Sequence, residues 1–328
     1  MGVSELKTDI LIIGAGPAGL YGAYYAGYRG MTVMVMDSLP EVGGQISAMY
    51  PEKAIYDVAG HPGIKGRELI SNLISQAGQF NPTYLLGHQA QDLTLNTDSV
   101  TVTSHQGTEV EAKAVVITGG IGTFQPRALP VGEDYLGKGL VYFLPSLEDH
   151  RDKDVVIVGG GDSAFDWALN LHSIAKSITI VHRREEFRAH ATTVSQVKGL
   201  GVSILTSSEV TQIQGSPNVE SVEVTHKTSK EVTRLTAQTV VAALGFIANL
   251  GPFAKWGLDV QGRKINVDTK MATAVDRIYA AGDITTYDGK VPLIAVGFGE
   301  AATAVNNAFV RINPDAHLNP PHSSGEAS

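Results

Sequence analysis

One pattern occurs twice in this chain of 328 residues: an apolar, β-branched run, a glycine cluster, a helical stretch and a second apolar run. In the first copy, residues 10–13 lead into Gly14, Ala15, Gly16, Pro17, Ala18 and Gly19, and residues 31–36 form the second strand. In the other copy, Val155, Val156, Ile157 and Val158 lead into Gly159, Gly160 and Gly161. Helical spacing follows at Ala164, Trp167, Ala168 and Leu171, and then comes the strand 178–181. Parallel strands need a crossover, so each copy specifies a βαβ unit. The glycines allow a sharp bend and a close approach to a pyrophosphate, while the helix N-terminus turns free N–H groups toward that anion. The expected fold class is α/β, with two Rossmann-like three-layer dinucleotide-binding domains.

The two copies share a spacing and differ in how they end. From Gly14 to Asp37 and from Gly159 to His182 the separation is 23 positions in both cases. Asp37 stands where an acid bonds the ribose hydroxyls of an adenosine. In the second unit that place holds His182, Arg183 and Arg184, with Arg188 one turn later. A basic start to a solvated helix is the plain alternative, but the tip of the second strand is where a 2′-phosphate would lie. A carboxylate repels that group, whereas guanidinium forks bind it. The second unit is therefore expected to hold NADPH through Gly159, Gly161, Asp162, Ser163, Ala164, His182, Arg183, Arg184 and Arg188. Two unlike units imply two different dinucleotides. The one that can accept a hydride from NADPH is FAD, which is assigned to the first unit through Gly14, Gly16, Pro17, Ala18 and Asp37.

Further positions suit the same cofactor. Gly43, Gly44 and Gln45 read as a loop passing close to a flat ligand, with the Gln45 amide offered to its polar edge. Tyr50 precedes Pro51, is held extended, and could lay its ring on a flavin, though an ordinary half-buried aromatic explains it as well. Strand-like alternation over 84–117 reads as an insertion covering the nucleotide, with backbone near Ala90 at the adenine. Gly119 follows a strand directly. Asp283, after the buried run 277–282, can accept a bond from the ribityl chain. An apolar helix over 293–312 would point its N-terminus at the flavin. The domain expectation is 1–119 with 247–328 for FAD and 120–246 for NADPH, the latter carrying its own antiparallel insertion over 202–240. Both crossings contain glycine, as hinges would.

Composition removes other classes. With 43% hydrophobic and 18% charged residues and 36 glycines, the chain suits a turn-rich α/β enzyme rather than a coiled coil or a disordered chain. A net charge of −8 argues against duplex nucleic acid as a partner. Arg29, Lys53, Lys65 and Arg67 are contributors to consider for a local basic patch facing an acidic protein, though surface solvation explains them equally. There is no cysteine, which removes disulfides, thiolate nucleophiles and any internal redox dithiol. No metal site is expected. The sequence shows no signal-peptide core and no membrane-length apolar run, so a cytoplasmic, membrane-free protein is expected. Residues 313–328 read by composition as a loose tail.

Taken together, the Gly14–Gly19 cluster, Gly43-Gly44-Gln45, Gly159 to Ala164, His182-Arg183-Arg184 with Arg188, and Ala281-Gly282-Asp283 resemble the thioredoxin reductases over nearly the whole chain. That resemblance implies an NADPH domain inserted into a discontinuous FAD domain, a homodimer, and a rotation of one domain against the other. Thioredoxin reductases carry a Cys-x-x-Cys before the NADPH turn, and the matching region near Tyr142 to Ser146 has none. Thiol–disulfide exchange needs a thiolate, so that chemistry is excluded. Met49 to Lys53, Tyr56 to Gly60 and the tail at Pro321 to Ser324 resemble the cysteine-free branch, the thioredoxin-reductase-like ferredoxin/flavodoxin–NADP reductases. The branch implies that Tyr50 stacks on one flavin face and that His322, from a tail crossing to the partner subunit, covers the other. It also implies flavin or adenine contacts at Asp37, Gln45, Ala90, Phe124, Asp283 and Ser324. The implied activity is hydride transfer from NADPH to FAD followed by one-electron transfer to ferredoxin or flavodoxin. Three alternatives stay open: an NADPH-dependent reductase for quinones or another acceptor, a reductase serving a separate dithiol protein, and a flavin redox sensor.

Overall fold

The computed structural model describes residues 6–120 and 123–320. The chain divides into two compact units, Met1–Thr123 with Ala248–Ser328, and Phe124–Ile247. In the first unit the strand Leu6–Ile13 is central. It pairs in parallel with Val33–Asp37, Ile13 lying opposite Met36, and in parallel with Glu109–Ile117 on its other side. Ile10, Leu11 and Ile12 are completely buried, as expected of a strand covered on both faces. Helix α1 (Pro17–Tyr28) makes the first crossover. A short helix, α2 (Gly44–Met49), and a longer one, α3 (Gly66–Gly78), follow. The strand Ile278–Ala280 joins the sheet beside Val115, Val116 and Ile117. The strands Ala90–Leu95 and Val100–Ser104 extend the sheet in antiparallel fashion from the first half of Glu109–Ile117.

In the second unit Asp154–Val158 is buried at every position and pairs in parallel with Ser177–Val181 and Thr239–Ala242. Helix α4 (Asp162–Leu171) presents Ala164, Phe165, Ala168 and Leu171 to a core shared with Ile157 and Ile180. Helix α5 (Ala191–Gly199) follows. Three antiparallel strands, Ser208–Gln214, Ser221–His226 and Val232–Thr236, form a separate sheet. The chain then returns to the first unit, whose last helix, α6 (Ile294–Ile312), packs on α1 and on the strands Glu109–Ile117 and Ile278–Ala280.

Both expected insertions, the strand-like run 84–117 and the antiparallel run 202–240, are smaller than their sequence patterning suggests. Thr83–Leu86 pairs in parallel with Val33–Asp37, and Ser203–Leu205 pairs in parallel with Ser177–Val181. The run 234–240 divides into an antiparallel strand ending at Thr236 and the parallel strand Thr239–Ala242. The physical reason is common to both units. Helices α3 and α5 supply the right-handed crossover that a third parallel strand requires, and strands of three or four residues carry no periodicity that reveals the direction of their partner.

A buried titratable group lies against the parallel sheet of the second unit, at the end of the short 3-10 helix Glu148–His150. His150 is 9% exposed, and its Nδ1 lies 3.0 Å from Thr239 Oγ1 in a hydrogen bond. Burial holds the imidazole below its ordinary value, and Lys153 acts in the same direction while Asp149 opposes it. Folded His150 therefore binds a proton less readily than unfolded His150. Its contribution to stability is complete above a pKa of about 6.5 and is lost as pH falls through the depressed folded value. His182 is depressed in the same direction, by burial first. Thermal unfolding should move to lower temperature between about pH 7.5 and 5.5, and His150→Gln should flatten that dependence. Identical pH profiles for the variant and the parent would contradict the assignment.

Candidate functional site

Gly14 ends the first strand with φ +115°, and its N–H donates to Met36 O at 2.8 Å. A Cβ at this position would lie 2.7 Å from Thr118 O, so only glycine fits. Gly19 closes α1 onto the turn, since a Cβ there would lie 1.8 Å from Gly14 O. Gly16 differs from both. It caps α1 in an extended conformation with no side-chain cap, and a Cβ added to it meets no atom within 4 Å. Pro17, at the helix start, has no N–H to satisfy, and Ala18 follows with no bulk. The turn thus keeps one backbone face open beside uncapped helical N–H groups, which is the cradle a pyrophosphate needs. Asp37 ties the turn to the second strand: Oδ2 accepts from Ala15 N–H at 2.6 Å and Oδ1 from Leu39 N–H at 2.8 Å. Burial raises the Asp37 pKa against the lowering effect of those two bonds.

Three strand ends converge here. Thr118 Oγ1 donates to Gly14 O at 2.8 Å, and Ala281 N–H donates to Ile117 O at 2.9 Å. Gly119 follows Thr118. Gly282, with φ +82°, would place a Cβ 3.3 Å from that of Ala18, and the exposed Asp283 comes next. Convergence at the carboxyl ends of parallel strands is where open α/β sheets bind ligands. Gly44 and Gln45 belong to helix α2 rather than to a loop, a correction to the sequence expectation. Gly43 (φ +109°) caps this helix, and its N–H donates to Ala15 O at 2.8 Å, which draws the segment onto the turn. The close approach itself is present: a Cβ on Gly44 would lie 3.1 Å from Gly16 Cα, and one on Gly120 would lie 3.0 Å from Gln45 Nε2.

Tyr50 terminates α2 and is half-buried. Burial pushes its phenol up, and the carboxylates of Asp283 and Asp57 add to that effect. The fold therefore brings Tyr50 and Asp283 into one neighbourhood. Ala90 is buried at the start of its strand, opposite Ser104. Phe124 lies on the short strand Thr123–Pro126, and its side chain is outside the described set. His322 and Ser324 lie outside the described residues.

The second turn repeats the first with one exchange. A Cβ on Gly159 would lie 2.4 Å from Ala243 O, whereas one on Gly161, the N-cap of α4, meets nothing within 4 Å. Ala164 takes the place of Gly19 and is fully buried. Asp162 and Ser163, in the first turn of α4, are exposed. Asp162 Oδ1 accepts from His190 N–H at 2.9 Å, and Gly160 O accepts from Arg188 N–H at 2.8 Å. The segment 183–190 is thereby folded back over the glycine turn. It is irregular rather than the start of a helix, since α5 opens only at Ala191. His182 packs its ring over Gly160 and uses Nε2 on Glu186 O at 3.1 Å. Arg183, Arg184 and Arg188 are exposed, and among the described residues no side chain pairs with them. They leave three guanidinium groups at the mouth of the turn.

Other cations considered from sequence are already engaged. Arg29 lies 3.9 Å over the Phe309 ring and donates to His317 O and Leu318 O, while Lys65 and Arg67 pair with Glu52. Among the described residues no helix is long and apolar enough to cross a membrane.

Residues 8–308 match the model of the pyridine nucleotide-disulphide oxidoreductases. The chain belongs to that family. The Ferredoxin–NADP reductase of Frankia alni is 60% identical over 319 residues, covering 97% of this chain and 99% of that one. The Ferredoxin–NADP reductase of Thermus thermophilus is 45% identical, covering 98% of each. Among solved structures, the thioredoxin reductase of T. acidophilum superposes with a TM-score of 0.77 at 26% identity, over 93% of this chain and 98% of the other. This oxidoreductase therefore has a thioredoxin-reductase-like fold and no cysteine with which to run a dithiol reaction.

Sequence reasoning overlooked Glu300 on α6. It is 5% exposed, and it bonds Gly282 N–H, next to Asp283. A lone acid in an otherwise apolar helix was the available signal, and the apolar periodicity of α6 concealed it.

Proposed function

We propose that this chain is a ferredoxin–NADP reductase that holds FAD at the Gly14–Gly19 turn and NADPH at the Gly159–Ala164 turn. The observation that carries this reading is the full-length identity, 45–60%, to ferredoxin–NADP reductases in a chain with two dinucleotide turns and no cysteine. Both turns fit their ligands, because Gly16 and Gly161 offer backbone with no atom in the way of a diphosphate. Bound FAD supplies the exchange between a two-electron hydride donor and a one-electron acceptor. The protein's part is positioning and exclusion of water. Gly14, Gly16, Pro17 and Ala18 cradle the diphosphate; Asp37 orders the turn and takes ribose hydroxyls. Gly44, Gln45, Gly119 and Asp283 border the flavin, with Tyr50 against one face. Ala90 and Phe124 complete the flavin and adenine contacts, and His322 and Ser324 belong to the same set. In the second unit Gly159, Gly161, Asp162, Ser163 and Ala164 form the turn. Arg183, Arg184 and Arg188 take the 2′-phosphate, and His182 braces the segment that carries them.

A flavodoxin is an acceptor of the same one-electron class, and a cytoplasmic homodimer completes the reading. Light scattering on the purified protein tests the dimer. The function is tested in a single turnover: NADPH added without oxygen should bleach the flavin absorption, and oxidised ferredoxin should then restore it. Bleaching that ferredoxin cannot reverse would overturn ferredoxin as the acceptor.

A further inference from the structure

Glu300, Lys290, Tyr287 and Thr285 form a polar cluster in the first unit: Glu300, Lys290 and Thr285 converge on the peptide groups of Gly282, and Tyr287 bonds Glu300. Glu300 Oε2 accepts from Gly282 N–H at 2.7 Å. Oε1 accepts from Tyr287 O–H at 2.5 Å and from the Lys290 ammonium. On the other side, Gly282 O accepts from Thr285 N–H at 3.0 Å, from Thr285 Oγ1 at 2.8 Å and from Lys290 Nζ at 3.2 Å. The side chains of Lys290 and Glu300 are 5% and 4% exposed. A buried ion pair of this kind is weak evidence for stability, because desolvation offsets the attraction between the charges. Its geometry is more informative, since both polar groups of Gly282 are saturated by it.

Gly282 sits in the left-handed region at φ +82°. It lies between the start of α1, through Ala18, and the start of α6, through Gly297, whose Cβ position is 3.4 Å from Gly282 Cα. A turn with this backbone and no side chain has little intrinsic rigidity. Asp283, the next residue, is the exposed carboxylate beside Tyr50. Tyr287, pushed up to about 12 by burial and by Glu300, stays a hydrogen-bond donor throughout the neutral range.

We propose that Glu300, with Lys290, is the positioning residue of the flavin site: it clamps the Gly282 peptide so that Asp283 is held toward the cofactor. This rests on the assignment of FAD to the first unit. In Glu300→Gln the amide NH2 faces converging donors and Lys290 is left buried without its counter-charge, so the turn loosens. In the double variant Glu300→Gln/Lys290→Met the cation is gone. The amide oxygen can then take Gly282 N–H while its NH2 faces the Tyr287 oxygen, so the clamp is rebuilt without charge.

The test uses the full chain with FAD removed and added back, reading the dissociation constant by flavin fluorescence, together with the midpoint potential and absorption spectrum of the reloaded protein. Glu300→Gln should weaken FAD at least tenfold and shift both the potential and the spectrum. The double variant should recover affinity to within a few-fold, and the circular dichroism of both variants should match the parent's, which separates a loosened turn from a loss of folding. Stoichiometric FAD binding by the parent with unchanged affinity, potential and spectrum in Glu300→Gln would overturn the clamp alone. The same follows if the double variant binds as weakly as the single one. Failure of the parent to bind FAD would overturn the cofactor assignment and the clamp with it.

Discussion

Replacing Arg183 and Arg184 together by alanine should raise the KM for NADPH by about a hundredfold while leaving the KM for NADH nearly unchanged. Each charge-assisted hydrogen bond to a phosphate contributes about 1.5–3 kcal/mol. Both guanidinium groups are exposed, so solvent screening places them toward the low end. Two such losses amount to about 3 kcal/mol, near two powers of ten. NADH has no 2′-phosphate and should not register the change. The direction depends on these side chains being unpaired in the protein, because an arginine committed to an internal carboxylate would have little to offer a ligand. Initial-rate measurements with both nucleotides decide the matter, and equal losses for NADPH and NADH would contradict a 2′-phosphate role.

The second large effect separates two glycines of the same turn. Gly16→Val should give a folded but colourless protein, with FAD affinity reduced by about a thousandfold or more, a loss of at least ~4 kcal/mol. A Cβ at this position meets no protein atom within 4 Å, so the added bulk is expected to harm the ligand rather than the fold. Gly14→Ala should do the reverse damage. Its backbone has φ +115°, and the added methyl would strike Thr118 O. The left-handed conformation alone costs an L-residue about 1–2 kcal/mol, and the clash adds to that. Apo Gly14→Ala should unfold at clearly lower temperature than apo Gly16→Val. Circular dichroism read beside flavin absorption distinguishes the two outcomes, and a yellow Gly16→Val protein would remove the turn from the cofactor site.

The parts legible in the sequence are those in which one residue type has a single physical reason to be present. Gly14 and Gly159 stand where a neighbouring backbone leaves no room for a Cβ. Gly16 and Gly161 stand where a Cβ would meet nothing within 4 Å, the open backbone that the proposed diphosphate sites require. The switch from Asp37 to His182-Arg183-Arg184 at equal spacing separated two otherwise similar units. His182 shows the limit of that reasoning: it has the right position, yet its ring is spent on Gly160 and Glu186 O. Helix α2 was missed because Gly43 and Gly44 suggest a loop, whereas Gly43 serves as the left-handed cap of a single short helix. The strands Thr83–Leu86 and Ser203–Leu205 were visible as strands, but pairing direction is a property of the crossover rather than of the strand. Glu300 and Lys290 could not be paired from sequence, since the turn that joins them is closed by backbone groups of Gly282.

The most direct measurement is steady-state reduction of cytochrome c by the purified yellow protein with NADPH, with and without added ferredoxin, repeated with NADH. The account predicts a rate that depends on ferredoxin and strongly prefers NADPH. A rate that is the same without ferredoxin, or equal with the two nucleotides, would contradict it.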